Sequence, residues 1–145
     1  ALATQKPLYG ARTTQVLIHA STSRNTIAVV DARRNEVYVE GGPLAVPICC
    51  NPSAVAQYLD ASDIWTFVGD GALKYESILK ATNQGIIEAD AKKHQPNAAY
   101  LATLVNTAAP EILSTLEPIY VRKSDAEINY PDGFPDAAKR KRGSG

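Results

Sequence analysis

Residues 26–40 read Thr-Ile-Ala-Val-Val-Asp-Ala-Arg-Arg-Asn-Glu-Val-Tyr-Val-Glu, and the fold turns on this stretch. Residues 26–31 (TIAVVD) and 36–40 (EVYVE) are rich in β-branched and aromatic side chains, which suit a pleated, half-buried surface. Ala32-Arg33-Arg34-Asn35 separates them, so the two runs predict a hairpin. Gly41-Gly42-Pro43 turns the chain again, and 44–49 supplies a third strand. Pro47 puts that strand at a sheet edge, because proline has no N–H for an inner ladder.

Downstream the pattern changes to alternating units. Asn51-Pro52 predicts a helix start, over 52–60, with Val55 and Leu59 on one face. Residues 64–68 (IWTFV) form a nearly continuous apolar run, as expected of a strand covered on both sides. Gly69-Asp70-Gly71 follows, with Asp70 placed to cap a helix that carries Ala72, Tyr75, Ile78 and Leu79. Residues 85–88 predict a short strand, and Ala98, Leu101, Ala102, Val105 and Ala108 mark a helix ended by Pro110. Upstream, Thr13, Val16, Leu17 and Ala20 recur at helical spacing over 11–22, after a loop at Lys6-Pro7.

Tight-turned strands followed by alternating helices and strands imply an α/β domain with a mixed sheet and helices on its faces. Val29, Val37, Ile64, Phe67, Leu101 and Val105 are the expected core, with Trp65 at least partly buried. After Pro118 the run 118–122 (PIYVR) is expected to be extended, with Ile119 and Val121 toward the body and Tyr120 and Arg122 away from it. The sequence divides into a domain over 1–122 and a weakly ordered tail over 123–145, which holds NYPDGFP and the basic run 139–142.

The 145 residues suffice for one domain with a real core. Fifteen basic against fifteen acidic residues leave no net charge, so the chain as a whole is not an electrostatic nucleic-acid binder. No apolar run reaches the roughly 18 residues of a membrane span, and no signal-peptide layout opens the chain. The two adjacent cysteines, Cys49 and Cys50, make no disulfide framework and fit a reducing cytoplasm. With no methionine anywhere, Ala1 is not a translation start, and the chain reads as a piece of a longer protein.

Little in the sequence points to catalysis. HExxH, GxSxG and P-loop patterns are absent, and His19 and His94 stand alone, as solvated or merely hydrogen-bonded side chains. One constellation supports an enzyme. If strands 26–31 and 64–68 are parallel neighbours, Asp31 and Asp70 share a sheet end, where ribonuclease-H-like nucleases hold paired metal ions. The helix between them offers only Asp60 as a third carboxylate. The plainer reading has Asp31 entering the hairpin and Asp70 capping a helix. Gly69-Asp70-Gly71 fits a close approach to nucleotide and equally a tight strand-to-helix turn. Arg33 and Arg34, on the hairpin, suit a phosphate or a partner's carboxylate, or plain solvation.

The order of elements resembles the ribonuclease-H-like lobe of the actin-like ATPase superfamily. Four segments narrow the resemblance. Val29-Val30-Asp31-Ala32-Arg33-Arg34-Asn35-Glu36-Val37-Tyr38 looks like the segment of bacterial TsaB (YeaZ-type, glycoprotease-like) proteins that runs from an apolar strand through D-A-R to E-V-Y. Gly69-Asp70-Gly71-Ala72 is similar to the family's G-x-G segment, Pro118-Ile119-Tyr120-Val121-Arg122 to its closing P-x-Y-[LV]-R, and Lys6-Pro7-Leu8-Tyr9-Gly10 to its link between lobes. The set covers Lys6 to about Arg122. The motif positions are thus Asp31, Arg33, Arg34, Glu36, Tyr38, Gly69, Gly71, Pro118, Tyr120 and Arg122, none of them catalytic.

The resemblance implies the C-terminal lobe of a non-catalytic accessory subunit in threonylcarbamoyladenosine modification of tRNA. Its implied partners are a TsaD-type catalytic subunit and a TsaE-type ATPase, with tRNA met indirectly and no cofactor. Family members begin with an actin-like first lobe, absent here, that carries the helices pairing TsaB with itself or with TsaD. An uncovered apolar surface near 1–8 is therefore expected to drive self-association.

Overall fold

The computed structural model describes residues 6–82, 85–105 and 118–122. Expectations for 1–5, for the end of the last helix with Pro110, and for the tail 123–145 lie outside them.

The elements are α1 (Thr13–Ala20), β1 (Thr26–Arg33), β2 (Glu36–Gly41), β3 (Leu44–Cys50), a 3-10 helix (Pro52–Tyr58), β4 (Trp65–Val68), α2 (Asp70–Lys74), α3 (Glu76–Thr82), β5 (Gly85–Ile87), a second 3-10 helix (Ala91–His94) and α4 (Ala98–Val105). The five strands form one mixed sheet in the order β3-β2-β1-β4-β5. β1 is antiparallel to β2 and β2 to β3, whereas β4 runs parallel to both β1 and β5.

The hairpin forms as expected, with a sharper turn than its residues announce. Arg33, Arg34 and Asn35 all have positive φ, at 65°, 52° and 59°. Left-handed residues match the right-handed twist of the flanking strands, and asparagine tolerates them best. A register shift between Asp31 and Arg33 absorbs the extra residue, and β1 runs two residues past Asp31. Pro47 sits on the edge strand β3, as its missing N–H requires.

Strand alternation divides the side chains between two faces. On one, Ile27, Val29, Val37, Val39, Trp65 and Phe67 pack against Val55, Leu59, Ala72, Tyr75 and Leu79 from the first 3-10 helix, α2 and α3. Each such fully buried side chain contributes about 1.5–3 kcal/mol of transfer free energy. On the other, Ala28 and Val68 meet Leu17 of α1, with Ile18 and Val30 only half-buried.

Several expectations need correction. Ile64 is 54% exposed, because β4 begins at Trp65 and Ile64 belongs to the preceding loop. Leu101 is also exposed and Val105 half-buried, because α4 lies outside α1 rather than on the sheet. The segment after Asn51 is a 3-10 helix, held at its start by the Asn51 side chain accepting from Ser53 N–H (3.1 Å). The helix expected after Gly71 is two pieces, broken at Tyr75 (φ −110°, ψ 23°). Val29, Val37, Phe67 and Trp65 are buried as expected.

Candidate functional site

Parallel pairing sets Ala28 beside Val68, so the chain leaves β1 and β4 at the same sheet end and brings Asp31 and Asp70 together. Their contacts there are structural. Asp70 Oδ1 accepts from Gly71 N–H (2.8 Å) and from Asp31 N–H (3.1 Å), fastening α2 to β1. Asp70 is therefore the first residue of α2, and the N-cap position belongs to Gly69. Asp31 Oδ1 accepts from Arg33 N–H (3.1 Å) across the bulge, and Oδ2 accepts from Lys74 Nζ (2.9 Å). The hydrogen-bonded Lys74 ammonium holds the Asp31 carboxyl below the ordinary carboxylate range, and Asp31 in turn raises Lys74.

The third charged group at this end is thus a cation. Asp60, the carboxylate that a metal site would recruit, turns back onto Ser62, and its carbonyl accepts from the Trp65 indole at the opposite end of β4. Among the described residues no three His, Cys, Asp or Glu are grouped to hold a metal ion.

Close packing accounts for both glycines of the turn. A Cβ on Gly69 (φ 118°) would lie 2.3 Å from the Val29 carbonyl oxygen, and one on Gly71 2.9 Å from the same atom. The backbone that these glycines admit is that of β1. His94, 3% exposed, closes the turn from the far side: its Nδ1 meets Gly69 and its Nε2 the Glu88 carbonyl (2.7 Å).

Of the remaining motif positions, Tyr38, Pro118, Tyr120 and Arg122 gather around a second feature. Arg122 reaches Glu36 Oε2 (3.3 Å) and the Ala32 carbonyl (3.4 Å), which ties residues 118–122 to the hairpin. Pro118, Tyr120 and Arg122 then face Tyr38, Pro47 and the start of α1 across an open cleft of about 970 Å³. Ile119 is 57% and Tyr120 86% exposed, while the Arg122 side chain is only 19% exposed. This corrects the expectation at two positions, since Ile119 faces outward and the ion pair holds Arg122 inward, while Tyr120 is exposed and Val121 half-buried as alternation required. Arg33 and Arg34 stand exposed on the hairpin.

The cleft is braced by an ion pair between a half-buried Arg12 and a buried Glu40. Glu40, 3% exposed, accepts from Arg12 Nε (3.0 Å) and Nη2, and from the Thr14 hydroxyl. The hydrogen bond that Arg12 donates to Glu40 raises the guanidinium still further. This clamp fixes the first turn of α1 against β2. Arg12 and Glu40 are 28 positions apart, and no local spacing signals them. Lys74 was equally unmarked, because its partner Asp31 lies on β1, whereas His94 is hydrogen-bonded, one of the two roles its isolation in the sequence allowed. Cys49 and Cys50 alternate across β3, opposite Tyr38 and Val37, and burial pushes the Cys50 thiol up to about 11. Neither is an activated nucleophile, because Cys49 is also raised by burial.

No protein-family model and no curated protein matches the sequence. A solved structure does share the fold: an uncharacterized protein with similarity to peptidase YeaZ, from Pseudomonas aeruginosa. The two superpose with a TM-score of 0.66 at 21% identity, over 84% of this chain and 62% of that one. The chain thus spans under two thirds of its neighbour's length. At this identity the likeness is one of fold.

Proposed function

We propose that this chain is the C-terminal, actin-like lobe of a TsaB-type accessory subunit, serving threonylcarbamoyladenosine modification of tRNA without catalysing it. One observation carries the proposal. Segments chosen for their family resemblance, at 6–10, 29–38 and 118–122, converge on one cleft through Gly10, Tyr38, Pro118, Tyr120 and Arg122, although they are spread over the chain. The fold shared with a YeaZ-similar protein supports the same reading. A ribonuclease-H-like topology is part of the proposal, as are the cytoplasm and the partners, a TsaD-type catalytic subunit and a TsaE-type ATPase. No helix among the described residues is long and apolar enough to cross a membrane.

In this role the sheet is a scaffold and the cleft rim a contact surface. Tyr120 offers a large, stiff ring at its edge, the residue type that anchors protein contacts at low entropic cost. tRNA is met through the catalytic subunit, in keeping with the chain's zero net charge. The test is binding of the chain to a TsaD-type subunit from the same source, read by calorimetry and by threonylcarbamoyladenosine formation in the mixture. Tyr120→Ala, an exposed site, should keep the fold and weaken binding at least tenfold. An absence of binding and of any stimulation by the unaltered chain, even with an actin-like first lobe supplied, would overturn the proposal.

A further inference from the structure

We propose that His94 is a proton-operated latch on the Gly69 turn. The inference is independent of the assignment above and rests on how the ring is surrounded.

The imidazole is buried at the end of the 3-10 helix Ala91–His94, and both nitrogens meet backbone atoms. Nε2 lies 2.7 Å from the Glu88 carbonyl, which can only accept, so Nε2 carries a proton in either charge state. Nδ1 lies 3.1 Å from Gly69 N and 3.0 Å from Gly69 O. In the neutral ring Nδ1 accepts from the Gly69 N–H. In the imidazolium, Nδ1 becomes a donor and the Gly69 carbonyl is the acceptor already within reach. Each state therefore has a partner without a change of rotamer, and the two states satisfy different halves of the same glycine. Proton uptake strips the Gly69 N–H of its acceptor, and an unsatisfied buried donor is costly, so the turn must readjust.

The neighbouring charges do not supply another partner for the ring. On its own segment, Glu88 pairs with Lys93 (3.6 Å), and Asp90 accepts from Lys92 N–H (3.0 Å). On α2, Asp70 holds Gly71 and Asp31 N–H, and Lys74 is paired with Asp31. On α1, His19 is exposed and bonded to Thr103 (3.0 Å). The readjustment passes through Gly69 to the next residue, Asp70, whose carboxylate fastens β1. The latch thus links the proton state of one buried ring to the anchoring of α2 on the sheet.

Imidazole-resolved NMR of the full chain, with pH titration of the backbone amides, tests this. At high pH His94 should show the Nε2–H tautomer. On acidification Nδ1 should gain a proton, and the Gly69 amide should shift with the same midpoint. His94→Gln should abolish the Gly69 response, whereas His19→Gln should preserve it. A Gly69 amide that ignores the His94 midpoint, an Nδ1–H tautomer at high pH, or a ring that stays neutral until the protein unfolds overturns the proposal. If His94→Gln does not fold, the titration of the unaltered chain still decides.

Discussion

The two faces of the sheet are built from the same strands by different means. The face under the first 3-10 helix, α2 and α3 is closed mainly by apolar side chains, with Ile27, Val29, Val37, Val39 and Phe67 fully buried and the Trp65 indole bonded to the Asp60 carbonyl at its margin. The face under α1 has a small apolar patch, a half-buried ion pair and an open cleft. The first face has little to orient, because hydrophobic contact is non-directional. The second fixes one helix start and one closing segment at set angles, which takes directional bonds from Arg12 to Glu40 and from Arg122 to Glu36. Stability resides mainly on the closed face, and presentation of surface on the open one.

The largest expected effect breaks the closed face. Phe67→Ala should lower unfolding free energy by about 3–5 kcal/mol in denaturant titrations, since the ring is fully buried in β4. A loss under half a kcal/mol would mean that this face is not the main core.

On the open face the clamp should cost slightly less and show its chemistry. Arg12→Ala leaves a Glu40 carboxylate, with 4% side-chain exposure, short of its cation, a loss of about 3 kcal/mol. The double change Arg12→Met with Glu40→Leu should recover most of this in the same titrations, because the penalty lies in the unpaired charge. Equal losses in the single and double variants would show that packing, not pairing, holds α1.

The smallest effect concerns pH. Asp31 is held below its ordinary value of 3.8 by Lys74, so its contribution is complete above that value and fades as pH falls through the lower, folded one. Lys74 is half exposed, so solvent screens the pair and its contribution is small. Asp31→Asn should therefore reduce the melting midpoint slightly at neutral pH, and the gap should close in acid. A gap that widens in acid would reverse the assigned sign.

Hairpin, edge strand and strand-to-helix turn were all legible, because each is set by neighbours in the chain. Pro47 declared an edge, and the apolar run before Gly69 a buried strand. The core list failed at Ile64 and Leu101, where composition indicated burial but the strand start and the placement of α4 decided otherwise. Asp31 and Asp70 were expected together and were found together. Their partner Lys74 was not expected, and it changes what the pair can do. At the closing segment alternation placed Tyr120 outward correctly and failed at Arg122, because its ion pair with Glu36 outweighed the period of two.

The sequence by itself determined the five strands, their approximate limits and the mixed sheet, with α1 and α4, since period, turn chemistry and proline act over a few residues. Only the tertiary structure decided that Arg12 meets Glu40, that His94 straddles both polar groups of Gly69, and that Tyr38 shares a cleft with Tyr120. The physical reason is range. Backbone preference and amphipathic period are written locally, whereas a buried charge or imidazole takes its partner from whichever strand or loop the packed fold brings within about 3 Å of it.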